Sequence, residues 1–171
     1  MNFSPDPEFI LPILLAAQGV LGGIDTLVNH EWLARLPRRP EARGEIGLHS
    51  LREANYAILF GGMGWFAWHG AMAWIIAALL AAEVLITATD EWIENRIRVL
   101  PQNERVMHIF LTLNLGAIIA LLVPVLSEWS KQPTGLAGRD YGLLSWLLGA
   151  LSLAGVFWCV RDFLAWRRLA R

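Results

Sequence analysis

Two stretches of the sequence carry a glutamate and a histidine at the same spacing. Glu45 precedes His49 by four residues, and Glu104 precedes His108 by four residues. Residues four apart lie on one face of an α-helix. Because carboxylate oxygen and imidazole nitrogen are both metal ligands, each pair predicts a helix that presents two ligand groups to one side.

A third stretch places polar groups along a single helical stripe. Glu83, Thr87, Asp90 and Glu94 follow one another at intervals of four, three and four residues. Carboxylates and imidazoles that converge from facing helices form carboxylate-bridged dinuclear metal centres. These ligands favour iron, with manganese or zinc as alternatives, over Cu(I), which prefers sulfur. The expected ligands of two divalent metal ions are Glu45, His49, Glu53, Asp90, Glu94, Glu104 and His108.

Four further residues have a less direct relation to this cluster. Tyr56 continues the face of the first Glu-His helix, where it is the candidate catalytic residue for electron or proton transfer. Asp25 shares a face with Asn29, whereas His30 falls off that face of a regular α-helix. The sequence leaves open whether Asp25, His30 and Glu83 join the site as ligands or as groups that orient the imidazole rings.

The segments that carry these residues have the composition of a membrane protein. Of 171 residues, 56% are apolar and 17% are charged, and the mean hydropathy is +0.45. Nine Trp and 15 Gly fit interfacial aromatic belts and close helix contacts. The formal net charge of −1 argues against a nucleic-acid partner, and the single cysteine, Cys159, excludes an internal disulfide.

Uncharged runs locate the membrane spans, and positive charges orient them. The runs cover residues 9–24, 54–82, 106–127 and 141–160, and one span needs about 20 apolar residues. If the longest run turns at His69, twelve of the 14 Lys and Arg residues lie on one side, which is then cytoplasmic. Without that turn the charges divide evenly. The sequence therefore predicts an all-α integral membrane protein, a single domain (1–171) of five transmembrane helices over residues 9–30, 41–68, 71–98, 102–127 and 141–168, with its N-terminus outside and its C-terminus inside.

Helices 2, 3 and 4 of this prediction are longer than the bilayer requires. Each has a length of about 39–42 Å, whereas the hydrocarbon core is about 30 Å thick. Their cytoplasmic ends therefore extend past the interface. His49, Asp90 and His108 all lie about 28–30 Å from the outer ends of their helices, which puts the ligand groups at one depth.

Two functions are compatible with these features. The first is a metal-dependent membrane enzyme with its centre at the cytoplasmic interface, an oxidoreductase by preference or else a hydrolase, acting on a lipid-soluble substrate. The second is a non-catalytic small subunit of a larger membrane complex, whose carboxylates pair with arginines in an interfacial network. We expect the protein to contact membrane lipid and to form either a homo-oligomer or a larger complex. We expect its location to be the bacterial plasma membrane.

Overall fold

The computed structural model describes residues 7–170, and these residues are built almost entirely of helices, so the predicted all-α class is confirmed. Five long helices account for most of the described chain. The sequence boundaries agree with them to within a few residues, except at the ends discussed below. The helices are α1 (Pro7–Asp25), α2 (Arg43–Trp65), α3 (Ala73–Ile97), α4 (Gln102–Ser130) and α5 (Leu143–Arg168).

Four helical segments of the described chain are long and apolar enough to cross a membrane, which identifies an integral membrane protein. They cover Phe9–Arg38, Gly70–Ile97, Gln102–Ser130 and Leu143–Arg168. Helix α2 is not among them, because its first half contains four charged residues. These are Arg43, Glu45, Arg52 and Glu53.

The first helix changes its winding where the sequence predicts regular α-helix to residue 30. A π-helix continues α1 over Thr26–Ala34, and the chain then turns at Arg35, whose φ is +52°. Hydrogen bonds in a π-helix join residues five apart, so Asp25 and His30 come to lie on one face. Asn29 also points inward, because its Nδ2 donates a 2.6 Å hydrogen bond to Asp25 Oδ1.

Strand β1 (Phe66–His69) pairs antiparallel with strand β2 (Gly135–Gly138) and ties the α2–α3 and α4–α5 connections together at one end of the bundle. The predicted helix 41–68 is therefore wrong at its end, since α2 stops at Trp65. The pairing satisfies backbone groups of two distant loops, which local sequence does not reveal. The turn expected at His69 is present and uses Gly70, whose φ is +60°.

Helices α2 and α5 approach closely through small residues. Ser152 Oγ donates to the Ala57 carbonyl and Ser145 Oγ donates to the Gly64 carbonyl, each at 2.7 Å. A Cβ built on Gly61 would lie 2.8 Å from Ser152 Oγ, so no larger residue fits there without a shift. This contact keeps the charged α2 inside the bundle.

The larger of two apolar core clusters among the described residues occupies the half of the bundle nearer the sheet, and a smaller one of Leu36, Ala42, Ile46 and Ala165 lies at the other end. Each of the five helices contributes a side chain to the larger cluster that is only 0–1% exposed. These side chains are Leu15, Leu59, Ile76, Leu122 and Leu148. The opposite half, which we call the polar end, contains the buried ionisable groups. Burial of charged groups requires partners, and these partners define the site.

Candidate metal centre

Six side chains from four segments meet at the polar end. All are buried except His108, which is half-buried. They form two overlapping groups of four, and in each group one potential ligand atom per residue lies within 4.8 Å of the others. Two residues, one histidine and one glutamate, belong to both groups. The first group is His30, Glu94, Glu104 and His108, and the second is His30, Glu45, His49 and Glu94.

The two Glu-x3-His pairs supply opposite sides of this cluster. Glu45 and His49 come from α2 and belong to one group, whereas Glu104 and His108 come from α4 and belong to the other. The i, i+4 spacing puts both members of each pair on the face that points inward. Glu94 of α3 lies between the pairs and is common to both groups.

His30, whose place the sequence left open, lies at the centre of the cluster. Its Nδ1 lies 3.1 Å from Nδ1 of His49, and the two ring centroids are 4.4 Å apart. One of these nitrogens donates and the other accepts, so each imidazole turns its Nε2 toward the carboxylates. The π-helix accounts for this placement, because it returns residue 30 to the inner face of α1.

Three buried atoms of the two groups of four have no hydrogen-bond partner among the described residues. They are Nε2 of His30, Nε2 of His49 and Oε2 of Glu94. His30 Nε2 lies 3.3 Å from Glu104 Oε1 without hydrogen-bond geometry. Buried polar atoms almost always have hydrogen-bond partners, whereas His30 Nε2 and His49 Nε2 have only carboxylate oxygens at 3.3–3.4 Å, outside hydrogen-bond geometry. A metal ion accepts the same lone pairs and would satisfy them.

The positive charge of Arg98 also offsets the negative charges of the buried carboxylates. Its Nη2 lies 2.8 Å from Glu45, 3.1 Å from Glu94 and 2.5 Å from Glu104. Burial would lower the pKa of Arg98, but its hydrogen bonds with Glu104 and Glu45 raise the pKa. The guanidinium therefore stays charged and holds three helices together at this point.

Asp90 lies beside the cluster and is outside both groups of four. Its Oδ2 accepts a 2.8 Å hydrogen bond from Arg52 and lies 3.3 Å from His49 Nε2. Arg52 also donates to Glu83 at 3.2 Å. Asp90 and Glu83 are thus engaged by an arginine, and Asp90 faces the same His49 Nε2 that a metal ion would bind.

Asp25 and Glu91 contact the histidines from the other side. Asp25 Oδ2 lies 3.4 Å from His30 Nε2 and 3.5 Å from His108 Nε2. His108 Nδ1 forms a 2.9 Å hydrogen bond with Glu91 Oε1. The sequence analysis missed Glu91, because it lies one position after Asp90 and off the stripe that marks the inner face of α3.

Glu53 and Tyr56 belong to the walls of a neighbouring cavity rather than to the two groups of four. Tyr56 is 9% exposed, and its hydroxyl accepts a 3.0 Å hydrogen bond from Gln18 Nε2. Asn114 Nδ2 in turn donates to Gln18 Oε1 at 2.7 Å, which links α1, α2 and α4. Tyr56 is therefore fixed in position next to the cavity.

Comparison of the chain with protein-family models, with curated proteins and with solved structures finds no match. The functional argument therefore depends on the geometry of the polar end. This geometry combines a compact set of carboxylate and imidazole ligands, unpartnered nitrogen and oxygen atoms, and an adjoining cavity.

Proposed function

We propose that this protein is an integral membrane metal-dependent enzyme with a dinuclear Glu/His centre, acting on a lipid-soluble substrate. The observation that carries the proposal is the pair of four-residue groups that share His30 and Glu94. A shared carboxylate between two positions of similar composition is the arrangement of a bridged dinuclear centre. Each position would have two carboxylates and two imidazoles within reach.

The ligand chemistry favours iron, with manganese or zinc as alternatives. The six residues offer only oxygen and nitrogen atoms, and Cys159 takes no part, since its Sγ lies 3.7 Å from Ser50 Oγ on the α2–α5 contact. Iron held this way supplies oxygen-dependent oxidation, whereas zinc or manganese supplies activated water for hydrolysis. An oxidoreductase is our first choice, and Tyr56 is the candidate for electron or proton transfer beside the cavity.

We infer that all five helices span the membrane, with the polar end in the cytoplasm. Helix α2 carries charges that would prevent insertion alone, but inside the bundle Glu45 is paired with Arg98 and Arg52 is paired with Asp90. Such internal pairing is how ionisable groups are tolerated in membranes. The positive-inside rule then places the N-terminus outside and the C-terminus inside, and a bacterial plasma membrane suits this charge pattern.

Elemental analysis and thermal unfolding of the purified protein test the metal proposal. We expect about one to two Fe, Mn or Zn ions per chain in protein prepared without chelator. Because a ligand that binds the folded state stabilises it, removing the ions with a chelator should lower the melting temperature. Metal-free protein that is stably folded and unaffected by chelator would reject the enzyme proposal.

A second candidate function is supported by the arginine contacts. Arg98 and Arg52 together reach Glu45, Glu83, Asp90, Glu94 and Glu104, so the cluster holds internal cations that could make it a purely structural network. The protein would then be a non-catalytic subunit of a larger membrane complex, with α5 as a contact surface. Metal-free protein that co-purifies with a stoichiometric membrane partner would favour this function.

A further inference from the structure

A cavity of about 180 Å³ adjoins the candidate metal centre. His30, His49 and His108 line one end of it, and apolar side chains such as Phe60 and Leu115 line the other. For comparison, an apolar cavity of about 150 Å³ binds benzene. The space thus accepts one hydrocarbon chain segment but not the two chains of a phospholipid.

Small residues of α1 and α5 line the cavity next to the surface of the bundle. Gly22 and Gly23 line it on α1, and a Cβ built on either residue would meet no atom within 4 Å. Ala154 lines it on α5 and is exposed on the outer surface of the bundle. The absence of side chains at the two glycines leaves room for a lateral entrance between α1 and α5.

Helix α5 contacts α1 on one side of the two glycines and the π-helix that continues α1 on the other side. Nearer the sheet, a Cβ on Gly19 would lie 2.7 Å from Leu151 Cδ1, so the helices touch there. Nearer the polar end, Arg161 forms an ion pair with Glu31. These two contacts lie on either side of the two glycines along the chain.

Glu53 indicates which polar group the cavity would bind. It lines the cavity, and its Oε2 is buried without a hydrogen-bond partner among the described residues, so a small rotation of the side chain is needed to present this oxygen to a hydroxyl in the cavity. Arg52 and Arg161, its neighbours, are engaged by Asp90 and Glu31 respectively. A hydroxyl group both donates and accepts, so it can pair with a carboxyl group in either protonation state.

We propose that the cavity binds a lipid alcohol with a single hydrocarbon chain, which enters from the bilayer between Gly22–Gly23 and Ala154 and places its hydroxyl at Glu53. The description of this alcohol as a substrate rests on the proposed metal-dependent function, but its binding does not. An anionic head group is disfavoured, because five carboxylates line the same space and Arg52, the arginine in its wall, is already paired with Glu83 and Asp90. A long-chain alcohol has the size, polarity and hydrogen-bonding capacity that the walls require.

Photolabelling in phospholipid nanodiscs tests this binding site without competition from single-chain detergent. The probe is a twelve-carbon alcohol with a diazirine on its chain, and the competitors are 1-dodecanol and dodecane. We expect saturable labelling of α5 between residues 151 and 158. Dodecanol should compete strongly, and dodecane should compete at least about tenfold less well, as expected for one lost hydrogen bond.

Matched leucine substitutions identify the entrance. Gly22→Leu should weaken probe binding by about tenfold or more, because the new side chain occupies the space of several methylene groups. Gly116→Leu is the control, since Gly116 is exposed on α4, has no neighbouring atom within 4 Å of a built Cβ and does not line the cavity. Gly23→Leu is a second variant in case the first fails to fold. Equal binding to wild type, Gly22→Leu and Gly23→Leu would overturn the proposal.

A polar-group control and a metal assay separate the two proposals. Glu53→Leu should bind dodecanol and dodecane equally, and a retained preference for the alcohol would refute the role of Glu53. Metal content is measured on the same samples. Metal-free protein with saturable, Gly22-dependent labelling keeps the alcohol site and rejects the dinuclear enzyme. Metal-loaded protein without saturable labelling rejects the alcohol site and keeps the centre.

Discussion

His30 and Glu94 differ from the other residues of the polar end because they are members of both groups of four. The remaining members divide between the groups, with one Glu-x3-His pair in each. If the groups hold one ion each, the effect of a substitution should follow this division. The unpartnered Nε2 of His30 and Oε2 of Glu94 are the atoms that such ions would engage.

Ligand substitutions should therefore change metal content in steps. His49→Ala or His108→Ala removes a ligand from one group only, so we expect about half of the wild-type ions to remain. His30→Ala removes one imidazole, whose Nε2 can ligate only one ion, and should also cost about half of the ions. Glu94→Gln, in contrast, removes the carboxylate that can bridge both positions and should abolish metal binding. His69→Ala, at the opposite end of the bundle, is the control. Elemental analysis of the purified variants decides, and a Glu94→Gln protein with full metal content would contradict the shared-ligand arrangement.

Arg98 stabilises the fold by compensating three buried carboxylates, and its loss should depend on the metal content. Arg98→Ala leaves Glu45, Glu94 and Glu104 without their guanidinium. In chelator-treated protein we expect a loss of about 3–5 kcal/mol in the free energy of unfolding, the usual effect of breaking a buried ion pair. In metal-loaded protein the loss should be smaller, because the ions compensate the same charges.

Denaturant unfolding with and without chelator measures this difference. Arg96→Ala serves as the control, since Arg96 is exposed on the same helix and stacks on the Trp92 ring. If Arg98→Ala destabilises the protein equally in both conditions, the arginine network alone offsets the carboxylates, and the structural interpretation of the cluster is favoured.

At the scale of elements, the parts of the bundle that stabilise the fold lie apart from the candidate metal ligands. The sheet of β1 and β2 closes the end distant from the ligands, and the larger apolar cluster lies between them. The π-helix belongs to the polar end, where it directs Asp25, Asn29 and His30 inward. π-Helical turns are rare and occur mainly at functional sites. Changes at the sheet should therefore alter stability without altering the site.

Gly70→Ala tests this separation. Gly70 has a φ of +60°, and a Cβ there would lie 2.4 Å from Thr134 Oγ1 and 2.6 Å from its Cα. We expect a loss of about 1–3 kcal/mol from backbone strain, with a further contribution from the clash. Metal content should stay at the wild-type level. Gly138→Ala is the matched control on β2, since a Cβ there meets nothing within 4 Å. Loss of metal in folded Gly70→Ala would show that the two ends are coupled.

At the scale of the whole molecule, the paired strands place two distant loops on one side of the membrane. Residues 66–69 and 135–138 are hydrogen-bonded partners, so both must face the same compartment. The connection between α3 and α4, with the 87% exposed Val99, lies at the other end. Five spans require these two ends to lie on opposite sides of the bilayer.

Cysteine labelling of intact bacterial cells tests this topology. In a Cys159→Ser background, an impermeant maleimide should modify Leu136→Cys from outside, because Leu136 is 48% exposed on β2. Val99→Cys should be modified only after the cells are opened. The opposite pattern would invert the proposed orientation. Equal labelling of both positions in intact cells would contradict five spans.

The sequence by itself determined the class of the protein and the composition of its polar end. Hydropathy and the i, i+4 spacing are local properties, so they predicted the helices and the inward faces of Glu45–His49 and Glu104–His108. Their common depth followed from helix rise and from the requirement that ionisable groups avoid lipid. The metal-ligand role of these residues stays a prediction.

Only the tertiary structure decided how the four segments face one another. The position of His30 depends on a π-helix held by contacts with other segments, and regular periodicity placed it off the inner face. Glu53 lies in a cavity wall outside the two groups, and Arg98 reaches three acidic residues. Neither placement could be predicted from the sequence, because each depends on how one helix is rotated against another. Rotations between helices, like the pairing of β1 with β2, arise from packing between residues distant in the chain, which local spacing does not encode.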